Sequence, residues 1–185
     1  MSDPSSANRR LHSLAVSGSV RGASSNTALL QAAATLAPDL ISIALYPSVA
    51  DLPHFNPDLD GEGMIPPAPV ADFRARLRAA DGVLICSPEY AHCVPGSLKK
   101  ALDWVVGSGE FMHKAVALIN ASATSSHAQA SLSETLTIMM ARVSSTRVPL
   151  KTNKIDRDAI LAVPDTSRAL RQVVESLAFA ASTSI

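Results

Sequence analysis

The apolar positions of this chain fall into short continuous runs, separated by stretches in which they recur every three or four residues. The first run, Leu14, Ala15 and Val16, leads through Gly18 into a turn, and beyond it Leu29, Ala33 and Leu36 recur at helical spacing. Residues 39–46 (DLISIALY) alternate well enough for a second strand. Val70, Phe73, Leu77 and Ala80 then mark the inner face of a second helix, with Arg74, Arg76 and Arg78 expected to point outward. Residues 82–86 (GVLIC) are the continuous run of a central parallel strand covered on both faces. Pro95 suits the first turn of a third helix whose core face is Leu98, Ala101, Leu102 and Val105. Residues 115–120 (AVALIN) read as a further buried strand, and 126–141 as a helix with Leu132, Leu136 and Met139 inward. Residues 143–150 suit a last strand, and 168–181 close the chain as a helix with Leu170, Val173, Val174 and Leu177 on one stripe.

This alternation predicts an α/β fold: a doubly wound parallel sheet with helices on both faces and right-handed crossovers. There is no internal repeat and no second composition regime, so residues 11–185 read as one domain behind a frayed tail at 1–10 (MSDPSSANRR). Residues 46–69 are rich in Pro, Asp and Gly and too broken for a regular element; a loop of this length is usually functional or mobile. Ligands of doubly wound sheets sit beyond the carboxyl ends of the strands, where the winding reverses. Three loops with small or polar residues are expected at that edge: 18–26, 87–96 and 121–127.

Composition narrows the function. Lys and Arg total 16 and Asp and Glu total 16, so a zero net charge argues against a nucleic-acid partner. No apolar run approaches the ~18 residues of a membrane span, and the first ten residues lack the apolar core of a signal peptide. A cytoplasmic protein is the expectation. The two cysteines, Cys86 and Cys93, have neither zinc nor redox spacing, and Cys86 ends an apolar run as a small buried hydrophobe. The five histidines form no ligand motif, so no metal is expected.

The first loop carries the chemistry. Ser19, Arg21, Ser24, Ser25, Asn26 and Thr27 crowd the start of a helix, whose first N–H groups have no intrahelical acceptor. Capping alone needs one or two such residues. Hydroxyls, an amide and a guanidinium around the positive end of a helix dipole suit a phosphate. The loop is neither GxGxxG nor GxxxxGK[ST], which argues against a dinucleotide or a Walker-type triphosphate. A terminal monophosphate fits better, and FMN at a flavodoxin-like switch point is the obvious ligand.

Here the chain resembles a known family, the NAD(P)H-dependent FMN reductases, which include quinone, azo-dye and chromate reductases. SGSVRGASSN is similar to the family's SGSxRxxSxN phosphate loop, and SPEYAHCVPGSLKKALDW to its longer SPEY signature. LPHFNPDLD resembles its acidic loop, and the likeness runs from about Leu14 to about Arg142. The resemblance implies a five-stranded flavodoxin-like sheet of order 2-1-3-4-5. It places Ser19, Arg21, Ser24 and Asn26, helped by Thr27, on the FMN phosphate. It lays Pro88, Glu89, Tyr90 and Ala91 along the ribityl chain and ring, with Ser122 on the third wall. Trp104 is assigned to packing, and Lys99, Lys100 and Asp103 to a solvated helix face.

Two departures stand out. Ala91 replaces the family's commonest Asn, and residues 120–127 (NASATSSH) lack the glycines usual in the third loop. The implied activity is hydride transfer from NADPH or NADH through bound FMN to small-molecule acceptors: quinones, azo dyes, chromate or free flavin. The flavin carries the hydride, so no catalytic side chain is expected. A homodimer or homotetramer is implied, with the 46–69 loop and the third helix as candidate contacts. Two other readings stay open: a flavodoxin-like FMN electron carrier without a nicotinamide site, and a flavin-free binding module. Against the carrier, this chain is neutral and only 4% aromatic.

Overall fold

Five strands pair into one parallel sheet in the order β2-β1-β3-β4-β5 in the computed structural model, which describes residues 9–150 and 155–183. They are β1 (Leu11–Ser17), β2 (Ile41–Leu45), β3 (Gly82–Cys86), β4 (Ala115–Asn120) and β5 (Arg142–Arg147). Six helices connect and cover them: α1 (Ser25–Thr35), α2 (Ala68–Ala79), α3 (Gly96–Asp103), α4 (His127–Ile138), α5 (Arg157–Leu161) and α6 (Pro164–Ser182). This is the expected flavodoxin-like architecture and strand order. The frayed tail expected at 1–10 falls largely on residues 1–8, outside the described residues; Arg9 ion-pairs with Asp81.

The two-residue period of the strands divides the interior in two. Leu14, Val16, Val83, Ile85, Val116 and Leu118 face one core, closed by Phe73 and Leu77 of α2, Leu98 and Leu102 of α3, and Leu132 and Leu136 of α4. Ala15, Leu84, Cys86, Ala117 and Ile119 face the other, closed by α1, α5 and α6. Side chains of β3 and β4 are buried throughout, as their unbroken apolar runs require. β5 is an edge strand and mostly exposed.

Several boundaries differ from expectation. α4 stops at Ile138 rather than 141, because Met140 takes a left-handed backbone (φ 63°) that a helix cannot continue. β5 begins at Arg142 and ends at Arg147, although Val148 and Leu150 N–H groups still donate to Asn120 and Ala121 carbonyls. α6 starts four residues before the expected 168, at Pro164, and α5 is an additional element. A five-residue helix with a single buried side chain, Ile160, leaves too little periodicity to read.

Arg74 corrects the sequence reading. Expected on the outer face of α2 with Arg76 and Arg78, it is 7% exposed. Its Nε donates to the Trp104 carbonyl at 3.0 Å, and its Nη2 donates to both oxygens of Asp60 at 2.7 and 2.8 Å. A guanidinium enters an interior when each donor direction finds an acceptor, and the 46–69 loop supplies that acceptor here. Arg76 does face out, paired with Asp72, and Arg78 reaches Glu110 from an exposed position. The loop contains two single 3-10 turns, Val49–Asp51 and Pro57–Leu59. It is fastened further by Trp104, which is fully buried: the indole Nε1 donates to Pro53 O at 2.9 Å, and Phe55 meets the ring edge-on. Lys99 pairs with Asp103 along α3, while Lys100 reaches the Ala50 carbonyl.

Candidate active site

The winding reverses between β1 and β3, so the loops leaving these two neighbours diverge and open a cleft above them. The cleft measures about 210 Å³. One wall is the loop after β1, with Ser19, Arg21, Ser24, Ser25 and Asn26; a second is Ser87, Pro88, Glu89 and Tyr90 after β3. The third is Asn120, Ala121, Ser122 and Ser125 after β4, with Leu150 beside it. Gly18 lets the first two walls meet. A Cβ there would strike the Ser87 hydroxyl and lie 2.8 Å from Ser87 Cβ, so only glycine fits this approach.

At the first wall Ser24 is the N-cap of α1, its Oγ accepting the Thr27 N–H at 3.4 Å. No acidic residue lies in the first turn of α1. Arg21 is exposed and makes no ion pair among the described residues. Asn26 is buried at the cleft margin, and its Oδ1 is taken by Cys86 Sγ at 3.2 Å. Free helix N–H groups, an uncompensated guanidinium and an amide donor together suit a dianionic group. Thr27 does not join them: its hydroxyl turns back to Ser17 Oγ at 2.8 Å.

The second wall is a tight turn. Tyr90 and Cys93 exchange backbone hydrogen bonds of 3.1 and 2.9 Å around Ala91 and His92, both at positive φ (49° and 64°). Two consecutive left-handed residues are the geometry that favours Asn-Gly, so the Ala-His pair stores backbone strain beside the cleft. The turn carries Ala91 away from the cleft wall and leaves the Tyr90 ring 53% exposed at its mouth, which excludes a core role for that tyrosine.

Glu89 faces both the cleft and the third wall. Its Oε2 accepts the Ala128 N–H at 2.8 Å in the first turn of α4, where Ser126 makes no side-chain cap. Its Oε1 meets His92 Nδ1 at 3.2 Å, and the His92 ring packs edge-on against His127. The Ala128 N–H, assisted by His92, holds the Glu89 carboxyl below its usual range.

The glycine-free third loop is organised by side chains instead. Asn120 Nδ2 donates to Ser125 O at 2.7 Å and its Oδ1 accepts the Ser122 N–H at 2.9 Å. Ser122 Oγ accepts from the Thr124 and Ser125 N–H groups. Arg147 at the end of β5 donates to the Ala123 carbonyl at 3.0 Å.

Of the residues singled out from sequence, Ser19, Arg21, Ser24, Asn26, Pro88, Glu89, Tyr90 and Ser122 thus share one cleft, whereas Thr27 and Ala91 stand behind its walls. Sequence reasoning placed Ser25 in the crowded first turn and Ser87, Ala121 and Ser125 only within loops expected at the ligand edge, and it missed Asn120 and Leu150 as lining residues. For Asn120 a signal existed: a polar residue closing a wholly apolar strand at the ligand edge of the sheet.

A flavodoxin-like sheet with a polar-lined cleft at its switch point defines the class. Within it, residues 12–154 match the model of the NADPH-dependent FMN reductase family, and the chain belongs to that family. An NAD(P)H-dependent FMN reductase of Pseudomonas aeruginosa is 42% identical over 112 residues, covering 60% of this chain and 59% of that protein. A probable NADPH:quinone oxidoreductase 2 of rice (Oryza sativa subsp. japonica) is 42% identical over 98 residues, 52% of this chain and 48% of its own length. The chain spans about half the length of the curated relatives it matches. Among solved structures, the flavoenzyme NAD(P)H:(acceptor) oxidoreductase of Paracoccus denitrificans superposes with a TM-score of 0.77. It shares 25% identity, with 94% of this chain and 98% of that one covered.

Proposed function

We propose that this protein is an FMN-dependent oxidoreductase that takes hydride from NADPH or NADH and delivers it to quinones or similar small acceptors. Azo dyes, chromate and free flavin belong to the same acceptor class. The observation that carries the proposal is the cleft's asymmetry. Unpaired donors gather at the α1 terminus, while across the cleft lie Pro88 and Tyr90, which suit a flat ring rather than a charge. FMN held in this cleft would supply the hydride-transfer chemistry between the nicotinamide and the second substrate.

The chain's own residues bind and orient. Ser19, Arg21, Ser24 and Asn26, with Ser25 beside them, would hold the phosphate; Thr27 braces that loop through Ser17. Pro88, Glu89 and Tyr90 would flank the ribityl chain and ring, with Ala91 shaping the turn behind them. Ser122 and Asn120 fix the third wall. At about 210 Å³ the cleft is smaller than the ~300 Å³ or more that encloses a drug-sized ligand, so part of an FMN would project past Tyr90. A second subunit would cover it, and Leu59, Met64 and Ile65, exposed on the 46–69 loop, support a homodimer or homotetramer. The described residues include no helix long and apolar enough to cross a membrane. A nicotinamide donor suits a cytoplasmic site of action.

The purified protein provides the test. It is expected to be yellow or to turn yellow with added FMN, to release FMN on denaturation, and to oxidise NADPH or NADH with menadione as acceptor. A colourless protein that fails to bind added FMN overturns the proposal. FMN binding without nicotinamide oxidation would instead identify an electron carrier, although the balanced charge, 16 basic against 16 acidic residues, speaks against that class.

A further inference from the structure

Cys86 has no part in the function proposed above, yet it ends β3 immediately before Ser87 of the second wall and meets Asn26 of the first. Asn26 is 9% exposed and lines the cleft, and its Nδ2 has no partner among the described residues. Its Oδ1 accepts from Cys86 Sγ at 3.2 Å. Cys86 donates its S–H in this contact, and in a carboxamide only the oxygen can take that hydrogen. The amide therefore turns Oδ1 toward Cys86 and Nδ2 away from it. Burial pushes the Cys86 thiol up to about 12, so the group stays protonated and remains a donor.

We propose that Cys86 is a positioning residue for the cleft, its S–H locking the Asn26 amide so that Nδ2 is presented to a ligand phosphate at the start of α1. The inference rests on the phosphate reading of that wall. Asn26 alone, with its oxygen toward the phosphate, would repel it; the thiol removes that orientation. The same contact ties the end of β3 to the loop after β1.

FMN and riboflavin serve as probes in fluorescence titrations of the wild type, Cys86→Ala and Cys86→Ser. Riboflavin lacks the phosphate and reports ring binding alone. Loss of one ordinary hydrogen bond corresponds to a few-fold to about tenfold change in affinity. Cys86→Ala is expected to weaken FMN by about three- to tenfold and to leave riboflavin within about twofold. Cys86→Ser, which keeps a donor, is expected to recover most of the FMN affinity. In an Asn26→Ala background Cys86→Ala is expected to add no further loss, because the group it orients is gone. Unchanged FMN affinity in Cys86→Ala, or equal losses for FMN and riboflavin, overturns the proposal. Should Cys86→Ala fail to fold, Cys86→Val, which fills the space without a donor, takes its place under the same criteria. A wild type that binds riboflavin as tightly as FMN overturns the phosphate reading itself, and the positioning role with it.

Discussion

Glu89, in the loop after β3, caps a helix that follows β4: its Oε2 accepts the Ala128 N–H at 2.8 Å. The contact joins two walls of the candidate site and supplies the cap that Ser126 does not make. A carboxylate at a helix N-terminus also meets the positive end of the dipole. The folded pKa of Glu89 lies below its usual value, first through the Ala128 hydrogen bond and then through His92. Its stabilisation is thus present above the ordinary carboxylate pKa of ~4.3 and is lost as pH falls through the lower folded value. Glu89→Ala is expected to lower the thermal midpoint at pH 7, with the gap to wild type closing at more acid pH. A gap independent of pH would remove the charged cap from the account.

Arg21 is the cation of the wall after β1, and it makes no ion pair among the described residues. Arg21→Ala is expected to weaken FMN by about 1.5–3 kcal/mol, the range of a charge-assisted hydrogen bond. Arg76, exposed and paired with Asp72 on α2, is the control and should leave FMN affinity unchanged when replaced by alanine. Fluorescence titration of both variants decides the point, and equal affinities would sink the phosphate assignment.

Gly18 separates two walls by the width of a missing methyl group. Gly18→Ala would force Ser87 aside, and overpacking of this kind costs about 1–3 kcal/mol. The loss should appear both in urea unfolding and in FMN affinity, because the displaced residue lines the cleft. Adding Ser87→Gly removes the two closest contacts, leaving Leu98 Cδ2 at 3.0 Å, and is expected to restore most of the stability. No recovery in the double variant would mean that the contact is not the cause.

Asp60 and Arg74 hold the 46–69 loop against α2 and the end of α3. The Arg74 side chain is 9% exposed and Asp60 18%, so removing one partner strands a largely buried charge. Asp60→Ala is expected to cost about 3 kcal/mol, whereas Asp72→Ala, which breaks the exposed pair with Arg76, should cost under about 1 kcal/mol. Chemical denaturation of the two variants side by side tests this ordering, and equal costs would contradict it.

Much of the fold was legible because its signals are local. Residues 82–86 and 115–120 are continuous apolar runs, and the structure returns them as strands with the same limits. Polar residues just beyond three such runs marked the ligand edge, so most of the cleft could be named from order alone. The short helix α5 escaped for the same reason, since five residues with one buried side chain carry no period.

By itself, then, the sequence determined the alternation of elements, the central strands and the polar loops that follow them, since each depends on residues adjacent in the chain. Tertiary structure decided the partners. Arg74 is buried because Asp60 and the Trp104 carbonyl lie within its reach, and Thr27 turns inward because Ser17 does. The Asn26 amide takes its orientation from a thiol 60 residues away, and α4 its cap from a carboxylate 39 residues before it. Periodicity specifies which face of an element is buried. Which polar atom meets which depends on how separate elements pack, and the buried donors and acceptors are satisfied only in that arrangement.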